Sequence, residues 1–185
     1  MLPDALRADF DRYVELLKAS FGADLVSVVV FGSQILGTAK PESDVDALVV
    51  VRGLPVNRWK RYDAFRPSAR AVSDEFKAML SLIVLTPEEA AIVKPYYLGM
   101  LSGHLLLWDR DGFFEGVLCR LQARLAELGA RRYVDKDGYE YWDLKPDCMF
   151  LIGSRTLLPD EEGTESEEGG TEAQSNGAAP GRLRE

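Results

Sequence analysis

The hydrophobic pattern changes period several times along the chain. Over residues 4–21, Leu6, Phe10, Tyr13, Leu17 and Phe21 recur at spacings of four, three, four and four, one face of an α-helix, and Gly22 follows as a stop. The period then vanishes. LVSVVVF at 25–31 and VDALVVV at 45–51 are short, β-branched and almost continuously apolar, which predicts strands covered on both faces. MLSLIVL at 79–85 and HLLLWD at 104–109 predict a third and a fourth strand. Thr86-Pro87-Glu88-Glu89 has the residues of a capping box with proline in the first turn. The helix it starts is expected to point Ile92, Val93, Tyr96 and Met100 inward and to kink at Pro95. A last helix is expected over 112–128, with Phe114, Leu118, Leu121, Leu125 and Leu128 on one face and Gly129 beyond its end.

Residues 58–78 look helical in pieces, with Pro67 as the expected break. The order helix–strand–strand–helix–strand–helix–strand–helix implies an α+β domain, a mixed sheet of about four to five strands flanked by helices. At 185 residues, with 46% apolar and 28% charged positions, one domain with a real core is expected. No apolar run approaches the roughly 20 residues that cross a bilayer, and the N-terminus lacks the apolar stretch of a signal peptide. The expected setting is the cytoplasm, with no membrane partner. Cys119, Cys148 and the single His104 make neither a zinc set nor a disulfide framework.

The net charge of −8 is unevenly spread. Residues 159–185 carry eight acids and two bases, so the rest of the chain is close to neutral. That last stretch is rich in Glu, Gly, Ser and Thr and reads as an acidic disordered tail after a folded domain of residues 1–158. Neither part has the basic stripe of a nucleic-acid binder, so a nucleic-acid partner is not expected.

The chemistry concentrates in VVVFGSQILGTAKPESDVDALVVV, residues 28–51. A buried strand ends at Phe31, and Gly32-Ser33 makes a tight turn into a short helical start. Glycine lets a ligand approach the backbone, and a serine hydroxyl with neighbouring N–H groups holds phosphate oxygens. Asp44 and Asp46 open the next strand, and alternate residues of a strand share a face. Two carboxylates so placed repel one another unless a cation lies between them, and magnesium, which shares its shell with substrate phosphates, fits. The bland alternatives are a solvated turn for Asp44 and Asp46 and a helix cap for Ser33. Ser43 joins Gly32 and Ser33 as a candidate nucleotide contact, although its position also suits a structural hydrogen bond. A P-loop is excluded, because Gly32 and Gly37 are followed by Thr38-Ala39-Lys40 where Lys-Ser/Thr is required.

Gly32-Ser33, ten residues, then Asp44-x-Asp46, with Gly37 and Ser43 between, resembles the signature of the DNA polymerase beta-like nucleotidyltransferase superfamily, minimal nucleotidyltransferase branch. The resemblance spans roughly residues 20–147. It implies the nucleotidyltransferase fold, a triphosphate held by Gly32 and Ser33, and magnesium held by Asp44 and Asp46. It implies transfer of a nucleoside monophosphate from an NTP, with ATP the expected donor, to an acceptor hydroxyl on a protein or small molecule. Small relatives act as antitoxins that nucleotidylate a helical toxin, so a helical partner protein is an implied partner. The family pattern also has a third carboxylate, expected near Ser81, yet no acid lies from Met79 to Thr86. Asp63, Asp74 and Glu75 lie upstream. The alternative reading is therefore a degenerate, non-catalytic module that binds nucleotide or a partner.

Other groups remain open. His104 reads as structural. Tyr133, Tyr139, Tyr141 and Trp142 either stack a ring or form a small hairpin over the core. Arg58, Lys60 and Arg61 either meet a triphosphate or an acidic partner, or form a solvated helix face. Lys145 is undecided.

Overall fold

The computed structural model describes residues 3–136 and 140–146. The expected boundary between residues 158 and 159, the acidic tail, Cys148 and Tyr139 lie outside them. Seven helices, six strands and two 3₁₀ turns are described. In chain order they are α1 (Asp4–Phe21), β1 (Leu25–Phe31), α2 (Ser33–Leu36), β2 (Val45–Val51), α3 (Arg58–Arg70), α4 (Asp74–Met79), β3 (Leu80–Leu85), α5 (Pro87–Ala91), α6 (Tyr96–Ser102), β4 (His104–Asp109), α7 (Phe113–Glu127), β5 (Arg131–Val134) and β6 (Glu140–Asp143). The 3₁₀ turns are Gly22–Asp24 and Arg110–Gly112.

The main sheet has the order β3-β2-β1-β4. β1 runs antiparallel to both neighbours, and β2 runs parallel to β3. The parallel pair needs a long crossover, which α3 and α4 provide. Every residue of β1 is buried, which is why its sequence shows no alternation. One face packs Phe10, Tyr13, Leu17, Phe65 and Phe76 from α1, α3 and α4; the other packs Tyr97, Met100, Phe114, Leu118 and Leu121 from α6 and α7. The expected mixed sheet flanked by helices is present, with β5 and β6 forming a separate antiparallel hairpin.

Two prolines behave differently from expectation. Pro67 lies inside α3, which runs unbroken to Arg70. The break falls at residues 71–73, where Ser73 starts α4 by accepting the Phe76 amide at 3.1 Å. Burial of Phe65 and Ser68 on either side of Pro67 outweighs the lost helical bond. At Pro95 the chain is interrupted rather than kinked. α5 ends at Ala91 and α6 begins at Tyr96, with Ile92 extended at its φ of −84° and ψ of 118°. The residue that proline disfavours in a helix is Lys94, and the chain has already left the helix at Ile92. Ile92 and Val93 consequently point outward, 62% and 51% exposed, and Tyr97 fills the core instead, its hydroxyl donating to Ala90 O at 3.0 Å.

Buried polar groups tie the layers together. Ser27, fully buried in β1, donates to Asp109 Oδ1 at 2.6 Å. The same carboxylate accepts the Phe114 and Glu115 amides, capping α7 across the Arg110–Gly112 turn. Arg61, expected in a solvated basic run, is 4% exposed. It donates to Pro55 O at 2.7 Å and forms a bidentate pair with Glu89, the third residue of α5. Glu89 also accepts the Thr86 amide, so the predicted capping box and this ion pair share one carboxylate. The Arg61 guanidinium holds Glu89 down from an ordinary 4.5 to about 2.

Arg61→Ala strands a carboxylate whose remaining contact is the helix cap, and is expected to cost about 3 kcal/mol in urea unfolding. Because the folded-state pKa of Glu89 is depressed, its contribution is complete above pH 4.5 and is lost as pH falls toward 2. Arg61→Ala should therefore flatten the acid limb of a stability–pH profile.

Candidate functional site

Two strand ends meet at the site. In the β1–β2 register Phe31 lies opposite Asp46, so the first residue after β1 falls beside the Asp46 carboxylate. That residue is Gly32, with φ of +82°, a conformation L side chains rarely adopt. A Cβ built there would stand 2.5 Å from Asp46 Oδ2. Only glycine permits both the turn and the carboxylate against it.

Ser33 is the first residue of α2, and Gly32 occupies the capping position. The cap alternative for Ser33 therefore does not apply. Ile35 and Leu36 amides donate to Gly32 O, while the amides of Ser33 and Gln34 precede any intrahelical acceptor. α2 is pressed close to the start of β4, because a Cβ at Gly103 would stand 2.9 Å from Leu36 Cδ2 and 3.5 Å from Ile35 Cγ2. The local sequence pattern does not single out Gly103, the residue between α6 and β4.

The loop from α2 to β2 is held by Ser43. Its Oγ accepts the Lys40 amide at 2.9 Å, its own amide donates to Lys40 O at 2.9 Å, and its carbonyl accepts from Gln34 Nε2 at 3.4 Å. This is the structural role open to Ser43, and the hydroxyl keeps a lone pair toward solvent. Asp44 follows, exposed, immediately before β2; Asp46, half-buried, is the second residue of that strand. Leu48 and Val50 face the α6–α7 side, and strand alternation puts Asp46 on that side with them. The donors present are hard carboxylate oxygens beside a glycine cradle, a set that suits magnesium.

The parallel register sets Ser81 directly beside Asp46, with Ile83 and Leu85 continuing along the same face. The position expected for a third acid is thus occupied by a hydroxyl. Of the upstream acids, Asp63 pairs with Arg66 and Asp74 with Lys77, both on exposed helix faces. Among the described residues no group of three or more potential metal ligands gathers.

Other candidates separate from the site. The His104 ring donates from Nδ1 to Met100 O at 2.8 Å, closing the end of α6. Tyr133 and Tyr141 stack at 5.2 Å on the exposed face of the hairpin, while Trp142 packs on the α6–α7 core. Lys145 is exposed. Among the described residues no helix is long and apolar enough to cross a membrane.

A glycine turn packed on an acidic strand end, in a mixed sheet covered by helices, is the arrangement that the comparisons with known proteins address. Residues 11–79 match the nucleotidyltransferase domain family. A Methanocaldococcus jannaschii protein named "Putative protein adenylyltransferase" is 32% identical over 114 residues, covering 60% of this chain and 78% of that one. Among solved structures, a toxin–antitoxin with AMP-PNP aligns at 18% identity over 64% of this chain and 92% of that one, with a TM-score of 0.43. The tri-AMPylated Shewanella oneidensis HEPN toxin in complex with MNT antitoxin aligns at 16% identity over 67% and 92%, with a TM-score of 0.42. The chain belongs to the nucleotidyltransferase family.

Gly32→Ala is expected to destabilise the fold by about 1–3 kcal/mol through the left-handed backbone and the carboxylate contact. In an Asp46→Ala background the contact part of that cost should disappear, and a double-mutant cycle by urea unfolding measures the difference.

Proposed function

We propose that the chain transfers AMP from ATP to a hydroxyl of a protein acceptor, with Gly32 and Ser33 on the triphosphate and Asp44 and Asp46 on magnesium. The observation that carries this reading is the close approach of Gly32 to the Asp46 carboxylate, which sets the candidate phosphate turn against the candidate metal ligand. The relative's name, a protein adenylyltransferase, supports both the adenylyl donor and the protein acceptor.

In the proposed reaction the acceptor oxygen attacks the α-phosphorus as the bond to the bridging oxygen of pyrophosphate breaks. Pyrophosphate leaves with the electron pair, and the hydroxyl proton passes to solvent. Asp44 and Asp46 would hold magnesium, which when bound would supply charge neutralisation for the phosphates and lower the proton affinity of the acceptor oxygen. The chain's own work is positioning: the Ser33 hydroxyl and the α2 amides orient phosphate oxygens, and β2 fixes the two carboxylates relative to them. Asp46 is held by the β1–β2 ladder, while Asp44 stands at its solvent end.

A second reading is favoured by Ser81. With a hydroxyl beside Asp46 the site has, among the described residues, two carboxylates and no third, which suits a module that binds nucleotide without turning it over.

Calorimetry with ATP and GTP is expected to show magnesium-dependent binding in the native chain, lost in Asp44→Ala/Asp46→Ala. No binding of either triphosphate would refute the assignment of the site. Transfer of labelled AMP to protein should fall by about 100-fold or more in Asp46→Ala. If label transfer appears only after Ser81→Asp, the native protein is the binding module.

A further inference from the structure

Beyond Ser81, the α6–α7 face of β3 leads into a cavity of about 300 Å³ lined by Arg58, Arg61, Tyr62, Ile83, Lys94 and Tyr96, among others. Ile83 is two residues along β3 from Ser81, a rise of about 7 Å. Tyr96, on the opposite wall, stacks at 6.1 Å with Phe31, which precedes Gly32 and pairs with Asp46. The cavity therefore begins just past Ser81 along β3, on the side of β2 away from the Gly32-Ser33 turn, and Asp46 itself does not line it.

Its charge is one-sided. Arg61 is saturated by Glu89, Pro55 O and Val84 O. Arg58 and Lys94 have no hydrogen bond or ion pair to their side-chain nitrogens among the described residues. The wall thus offers two cations without a hydrogen-bonded partner among the described residues, Arg58 lying within the field of Glu89, above an aliphatic and aromatic floor. In-line transfer needs the acceptor oxygen opposite the departing pyrophosphate. With the triphosphate on the Gly32-Ser33 side, the acceptor comes from the β3 side and lies over this cavity. A strand cannot be added there, because Tyr62 Oη donates to Leu82 O at 3.2 Å and Arg61 Nη1 to Val84 O at 3.5 Å, covering the edge carbonyls. An acceptor must be held by its side chains.

We infer that this cavity is the acceptor subsite and that it selects a hydroxyl-bearing protein segment with carboxylates beside the hydroxyl, which Arg58 and Lys94 hold while Tyr96 and Ile83 pack its apolar part. The inference rests on the nucleotidyltransferase reading of the site above and adds the acceptor's chemistry to it. A lone small anion is the competing occupant.

The test is fluorescence anisotropy of the full-length chain with a labelled peptide of one tyrosine between glutamates, a matched glutamine peptide, and inorganic phosphate as competitor. The acidic peptide should bind about tenfold tighter than the neutral one, an advantage that shrinks with salt. Arg58→Glu/Lys94→Glu should remove that advantage and prefer a lysine-flanked peptide, while retaining ATP binding by calorimetry. Equal binding of the acidic and neutral peptides, or an unaffected double variant, overturns the inference. Displacement of the peptide by millimolar phosphate assigns the cavity to a small anion, and displacement by ATP assigns it to the nucleotide; either overturns it. ATP binding without peptide selectivity defeats this inference alone, whereas absence of ATP binding defeats the underlying reading.

Discussion

The register of β1 on β2 is the constraint on which the site depends. Phe31 opposite Asp46 fixes where the first strand stops relative to the carboxylate, and the next residue must be glycine for the chain to turn there. A slip of one residue would turn Asp46 toward the α1–α3 core and bring Val45 to the Gly32 turn. Because Val28 and Val30 face one core while Val29 and Phe31 face the other, β1 is apolar on both sides, and what resists a slip is the cost of driving the Asp46 carboxylate into the α1–α3 core. The stability of the sheet and the placement of the candidate phosphate turn are one and the same packing problem.

The layers around that sheet are fastened by a few buried polar groups. Asp109 joins Ser27 of the central strand to the start of α7. Arg61 joins α3 to α5 and covers a carbonyl of the edge strand β3. A buried guanidinium without its carboxylate would be costly, so Arg61 and Glu89 fix the α3–α5 geometry more than they add net stability. The same arrangement spends the charge of Arg61 internally, while Arg58 adds only a through-space attraction to Glu89.

Ser81 shows how a single position separates fold from chemistry. A serine beside Asp46 is compatible with the strand, the register and the packing, and alters only the charge of the site. Family membership therefore speaks for the fold and nucleotide chemistry, while this position sets the charge beside Asp46.

Much of this was legible in order along the chain. The helix over 4–21, the four sheet strands and the capping box at Thr86 are local patterns of period and turn chemistry, and each appears close to its expected bounds. The pairing of Gly32-Ser33 with Asp44 and Asp46 was also readable, because both sit at the ends of adjacent strands joined by one short loop. What the sequence could not decide were contacts between segments far apart: Gly103 beneath α2, Arg61 on Glu89, Asp109 on Ser27, and Lys94 joining Arg58 around one cavity. Pro67 and Pro95 belong to the same class, since local propensity predicts a break at each and only the packing on either side decides whether the helix continues. Local order is determined by short-range sterics and periodicity, whereas burial and charge pairing are properties of the assembled layers, and these only the tertiary structure settles.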